Sequence, residues 1–191
     1  DTLLRLAAVT RDPLDTLHEA GTVALHAVGD AALLRPILER ILAFASARWT
    51  DLAATGAVSE EDLPRYALWA VEELVQLSLA SEDPRSAEAM LERGAGLPFP
   101  PEKSRQLRYR AAELAADRLD DPTRAVELCR GILEEAPDDA ATIALLAGIF
   151  AEEHRLPELL ELRRRELSLH PETARRLFLR LDIARVIGEV G

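Results

Sequence analysis

The chain has 191 residues and a net charge of −11; 48% of its residues are hydrophobic but only 4% aromatic. It can bury a core, built from Leu, Ala, Ile and Val, but it lacks the concentrated positive surface that phosphate binding needs, so neither nucleic acid nor an anionic membrane surface is an expected partner. A single cysteine, Cys129, excludes an intrachain disulfide and a cysteine-type zinc site.

No segment reads as a strand; apolar residues recur at helical spacing throughout. A first helix is expected around Thr2–Val9, then helices at about 13–28, 31–54, 60–80 and 84–95. Asp12-Pro13 and Asp83-Pro84 are helix starts, with Asp capping the free first-turn amides and Pro placed where its missing N–H costs nothing. Gly29-Asp30 and Gly56 punctuate the boundaries, and Pro36 and Pro64 are expected where regular helix begins. Leu97-Pro98-Phe99-Pro100-Pro101 is either a domain linker or a stiff loop; its shortness and two large apolar residues favour the loop.

The second half is more regular. Asp121-Pro122-Thr123-Arg124-Ala125 opens a helix in which Ala125, Leu128, Cys129 and Ile132 share one face. Ala136-Pro137-Asp138-Asp139 closes it and opens the next, where Ile143, Leu146, Ala147 and Phe150 repeat the spacing. A turn at His154-Arg155 leads to a helix around Leu156, Leu159, Leu160 and Leu167, ending at His170-Pro171. Pro171 follows Pro137 by 34 residues, and Leu159 follows Ala125 by 34. Ala147 follows Ala112 by 35, which implies a turn one residue longer at Leu119-Asp120-Asp121.

These residues resemble tetratricopeptide repeats, whose period is about 34 residues. The small residues Ala112, Ala147 and Ala184, the aromatic Phe150, Ala125 near the start of a second helix and the closing prolines Pro137 and Pro171 carry the resemblance. Two units run over about 103–137 and 138–171, followed by the first helix of a third over about 172–189. Helices 60–80 and 84–95 form a degenerate pair. Three departures stand out: Ala115 replaces the usual aromatic, and Arg163 and Glu166 occupy positions where the family packs an aromatic and a small residue. Their stems are expected on the core with their heads in water.

The resemblance implies an all-α, right-handed α-solenoid of about ten helices. Its expected divisions are an irregular helical-repeat segment (1–96), a Pro-rich loop (97–101) and two repeats plus a further first helix (102–191), cut from a longer protein. It implies a concave groove lined by first helices: Gln106, Tyr109, Arg110 and Glu113, then Ala141, Ala144, Leu145 and Gly148, then Phe178, Leu181, Asp182 and Arg185. Chaperone-binding members clamp a terminal carboxylate at such positions, and Ala144, Leu145 and Gly148 offer no clamp. The expected partner is a protein, helix or peptide other than a carboxylate-clamp ligand, with self-association through open solenoid ends a further possibility. The expected role is a non-enzymatic scaffold, and the alternative is a regulatory or oligomerisation domain of a larger sensor, regulator or enzyme.

No residue set suggests chemistry. His18 and His26 are eight apart, whereas paired helical metal ligands stand three or four apart. His154 and Glu158 straddle a turn, and Cys129 reads as a core residue. Arg163-Arg164-Arg165 is flanked by Glu161 and Glu166 and reads as a solvated mixed-charge face, with an acidic-partner contact as the alternative; Trp49 and Trp69 read as packing between helices, whereas an exposed Trp would mark a binding anchor. No cofactor and no metal site is expected. No stretch reaches membrane-spanning length without charge, so membrane insertion is not expected either, and a cytoplasmic location is the expectation.

Overall fold

The computed structural model of the chain describes residues 13–28, 31–55, 62–169 and 173–190. Among these, the regular structure is entirely helical. Helix α1 (Pro13–Val23) continues into a π-helical turn, Ala24–Val28; α2 (Ala31–Thr55), α3 (Leu63–Ala80), α4 (Pro84–Ala95) and α5 (Pro101–Asp117) follow. Then come α6 (Pro122–Glu135), α7 (Ala140–Glu152), α8 (Leu156–Leu169) and α9 (Thr173–Val190). The helix boundaries read from the sequence agree to within three residues; the helix expected at Thr2–Val9 lies outside the described residues.

The helix starts have the expected cause. The carboxylates of Asp83, Asp121 and Asp139 accept the amides of Ser86, Arg124 and Thr142 at 3.0, 3.0 and 2.8 Å. Each such cap is worth about 1 kcal/mol. Pro64 sits at the start of α3 as expected, but Pro36 lies inside α2, which runs on past it. Buried Leu34 on one side and buried Ile37, Leu38, Ile41 and Leu42 on the other hold the helix through the missing N–H.

The chain divides into two compact units, Asp1–Leu107 and Arg108–Gly191, and the division falls inside α5. In the first unit α1 packs on α2, α2 on α3 and α3 on α4, and α1 also reaches α3. That last approach depends on Gly21, where an added Cβ would lie 2.6 Å from the tip of the Trp69 ring. Leu38, Ile41, Ala45, Val71 and Leu74 are fully buried in this unit. The Pro-rich stretch belongs to it: Phe99 is buried and meets buried Trp49 edge-on, ring centroids 5.5 Å apart. Residues 97–100 are therefore a loop anchored by an aromatic pair, worth about 0.5–1.5 kcal/mol beyond the area it buries.

In the second unit α6 packs on α7, α7 on α8 and α8 on α9. Ala112, Ala115, Ala125, Cys129, Ile143, Ala147, Phe150, Leu159 and Val186 share one core. Ala147 and Ala115 are both fully buried.

One turn recurs three times along the chain. Glu82, Asp120 and His154 each adopt a left-handed conformation (φ 55°, 51° and 55°), and each immediately precedes the residue that opens the next helix. In two of the turns the opening amide reaches back five residues, Asp83 to the Ser78 carbonyl and Arg155 to that of Phe150 (2.9 and 2.8 Å). In the third, Asp121 reaches six residues back to Ala115 (2.9 Å), which is the extra residue that the 35-residue spacing called for. The buried Ala87, Ala125 and Leu159 then donate to the carbonyls of Asp83, Asp121 and Arg155.

Candidate functional site

The twelve residues expected to line a groove differ in what they present. Gln106 is exposed and falls in the first unit; the other eleven fall in the second. On α5, Tyr109, Arg110 and Glu113 are half-buried. Burial, reinforced by the hydrogen-bonded Glu113 carboxylate, pushes the Tyr109 hydroxyl up to about 12, so it stays protonated and is committed within the molecule. On α7, Ala141 is exposed and Ala144, Leu145 and Gly148 are half-buried. An added Cβ at Gly148 would meet nothing within 4 Å. On α9, Phe178 and Leu181 are exposed, with the Arg175 guanidinium over one face of the Phe178 ring, 5.2 Å from its centroid. Asp182 is not available to a partner: it accepts from Arg163 at 2.9 Å and from Arg185 at 2.7 Å.

The Arg163 and Glu166 heads do not go to water. Glu166 is fully buried and accepts from Arg163 at 2.7 Å and from Arg175. Arg163 thus bridges Glu166, on its own helix, to Asp182 on α9. Burial pushes the Glu166 carboxyl up, but the hydrogen bonds and charges of Arg175 and Arg163 outweigh it and hold the group below the usual carboxylate range. Of the Arg163-Arg164-Arg165 run only Arg164 is exposed; Arg165 donates to the Pro137 carbonyl. The sequence signal that could have found this network is the placing of two complementary charges, Arg163 and Glu166, on a face otherwise made of leucines.

A cleft that the sequence did not indicate lies on α6, α7 and α8. It encloses about 360 Å³ over an apolar floor of Leu133, Leu146, Phe150 and Leu162, with Arg130, Glu134, Glu158, Glu161 and Arg165 around it. None of the twelve residues expected to line a groove lines it, because most of its lining comes from α6 and α8. Arg155 stacks on Phe150, 4.2 Å from the ring centroid, and donates to Glu158 at 2.7 Å. That hydrogen bond holds the Glu158 carboxyl below the usual range, and Arg130 adds to the same effect.

Of the remaining candidates, Cys129 and His18 are packed against their neighbours. Cys129 is buried, and burial followed by the charge of Asp139 pushes its thiol up to about 12, which is the opposite of nucleophile activation. His18 lies 4.6 Å from the Tyr66 ring and 4.7 Å from that of Trp69; burial first, then Arg65, lowers its pKa against the pull of Asp15. The Tyr66 hydroxyl donates to Asp15. His26 is exposed in the π-helical turn, and Glu158 pairs with Arg155 rather than His154. Among the described residues no cluster of three or more His, Cys, Asp or Glu side chains could hold a metal ion, and no helix is long and apolar enough to cross a membrane. No protein-family model matches the chain, and no curated protein or solved structure does either.

Proposed function

We propose that the chain is a non-enzymatic protein-interaction module of the tetratricopeptide-repeat type, a right-handed α-solenoid that binds an apolar helix or peptide on its first helices. The three recurring left-handed turns, with a buried small or aliphatic residue at the same place after each, support the repeat reading. Gly148 is the observation that carries the binding reading. A glycine in a helix interior costs about 1 kcal/mol relative to alanine. Nothing within the molecule requires this one, since a Cβ there meets open space. A glycine facing open space, with Ala141 and Ala144 on the same helix, leaves room for another backbone to come close. The partner would be apolar where it meets α7.

The test compares proteins recovered from native lysate by the wild-type chain and by Gly148→Leu. At least one partner should be lost with Gly148→Leu while helicity and thermal midpoint are kept. An identical set of recovered proteins would remove the support for this surface. Micromolar binding of an acidic peptide through its free C-terminal carboxylate, abolished by Arg110→Ala, would show the clamp chemistry that the reading excludes.

A second reading, an oligomerisation or regulatory domain of a larger sensor, regulator or enzyme, is favoured by one observation. Most of the large apolar side chains left exposed among the described residues (Leu177, Phe178, Leu181 and Ile187) belong to α9.

A further inference from the structure

Helix α9 has two apolar faces. The inner one supplies Leu179 and Val186, both fully buried. The outer one carries Leu177, Phe178 and Leu181, which are 59%, 53% and 63% exposed, with exposed Ala184 at continuing helical spacing. A surface helix ordinarily has one apolar stripe, so a second apolar face left open on α9 is surface that a further partner could cover. Its charge is also unusual. In a chain of net charge −11, residues 173–190 hold four arginines against Asp182 and Glu189. Arg180 is exposed and has no ion-pair partner among the described residues.

The cleft on α6, α7 and α8 has the complementary character. Its floor is apolar, and Leu146, Phe150 and Leu162 beneath it are buried by the fold itself, so the surface is preformed. On its rim, Arg165 is spent on the Pro137 carbonyl, and Arg130 faces Glu158. Glu134 and Glu161 are exposed carboxylates without an ion-pair partner among the described residues. A large apolar side chain flanked by arginine is what such a site accepts.

We propose that this cleft seats the outer face of α9 from a second copy of the chain, with Leu177 and Leu181 on the Leu133, Leu146, Phe150 and Leu162 floor, Phe178 at one edge of that face, and Arg180, one turn from Leu177 at the other edge, against Glu134 and Glu161. The inference rests on the oligomerisation reading and is independent of the α7 surface. The two patches are different, so the contact is heterologous. Each copy that offers its α9 still has an open cleft, and assembly runs past the dimer unless a ring closes.

Sedimentation velocity of the full chain over a range from micromolar to millimolar tests this. The expected result is a weight-average mass that climbs from the 21.0 kDa monomer past the dimer as concentration rises. Phe178→Glu breaks the α9 patch, and Glu134→Arg with Glu161→Arg breaks the rim; all three positions are exposed, so the fold should be kept, as circular dichroism will show. Should Phe178→Glu fail to fold, Leu181→Lys on the same face takes its place. Each variant alone should associate at least tenfold more weakly than wild type. An equimolar mixture should form a one-to-one dimer and nothing larger, because it contains one intact cleft and one intact α9 per pair. A mixture that stays monomeric overturns the proposal. So does a rim variant that assembles like wild type while Phe178→Glu does not: α9 would then pair with α9, and the oligomerisation reading would outlive the proposed seat. A wild-type chain that stays monomeric throughout defeats both.

Discussion

Two glycines in helix interiors should respond to the same substitution with opposite signs. In Gly148→Ala the new methyl enters open space, so only the backbone effect remains, and alanine is favoured over glycine in a helix by about 1 kcal/mol. Gly94→Ala gains the same backbone term, but its Cβ would stand 2.8 and 3.1 Å from the two Val71 methyls and 3.3 Å from Leu107 Cδ1. Val71 is fully buried and Leu107 nearly so, which leaves neither room to retreat. Overpacking of this kind costs about 1–3 kcal/mol. Gly148→Ala should therefore gain about 1 kcal/mol, and Gly94→Ala should range from no change to a loss of about 2 kcal/mol. For a chain of this size 1 kcal/mol moves the thermal midpoint by about 2–4 °C. Urea titration followed by helical circular dichroism, with a thermal scan beside it, measures both. Gly94→Ala stabilising as much as Gly148→Ala would show that Val71 and Leu107 do yield to the added methyl. If Gly148→Ala stabilises the chain and also weakens partner binding, the glycine serves the partner at the expense of the fold.

Four further outcomes follow from the polar interior. Glu166→Ala should cost about 3 kcal/mol, the low end for breaking a buried pair, because Arg163 keeps Asp182 and the part-exposed Arg175 can turn to water; urea unfolding measures it, and a loss under 1 kcal/mol would show that the network contributes little. The same carboxyl is held below its ordinary pKa, so its contribution is whole above about pH 4.3 and is lost as pH falls through the folded value; acid titration of Glu166→Gln should lack that component. His18 has the other dependence: with its pKa lowered, the unfolded chain takes the proton first, so its contribution is whole above about pH 6.5 and declines below it. His18→Phe keeps the ring contacts to Tyr66 and Trp69 and should flatten the stability profile between about pH 5 and 7, whereas an unchanged slope would assign that dependence to other groups. Thr142→Val should gain about 1 kcal/mol in a thermal melt, since the buried Thr142 hydroxyl has no hydrogen-bond partner among the described residues while its amide keeps the Asp139 cap.

The helices were legible because their causes are local. Asp83, Asp121 and Asp139 announce their caps within three residues, and Ala125, Cys129 and Ile132 mark one buried face by spacing alone. The extra residue before Asp121 was legible for the same reason, as a 35-residue step where its neighbour takes 34. What was not legible depends on pairings between distant positions. Phe99 reads as part of a proline-rich connector until Trp49 is seen against it, 50 residues away in sequence. Arg163 and Glu166 read as snorkelling side chains because hydropathy does not report that Asp182 and Arg175 arrive from the next helix to receive them. The cleft escaped because three consecutive helices build it, and its floor residues carry the same periodic signal as any other core position.

Within each unit, helices meet mainly their immediate neighbours in sequence. Few long loops must close before native contacts form, and low contact order goes with folding in microseconds to milliseconds. It also means that a unit can be loosened from one end without unravelling as a whole, since each helix depends chiefly on the two beside it. Amide exchange should then be graded along the second unit. In the single chain α9, covered on one face only, should exchange soonest, and α7, packed between α6 and α8, should hold its protons longest.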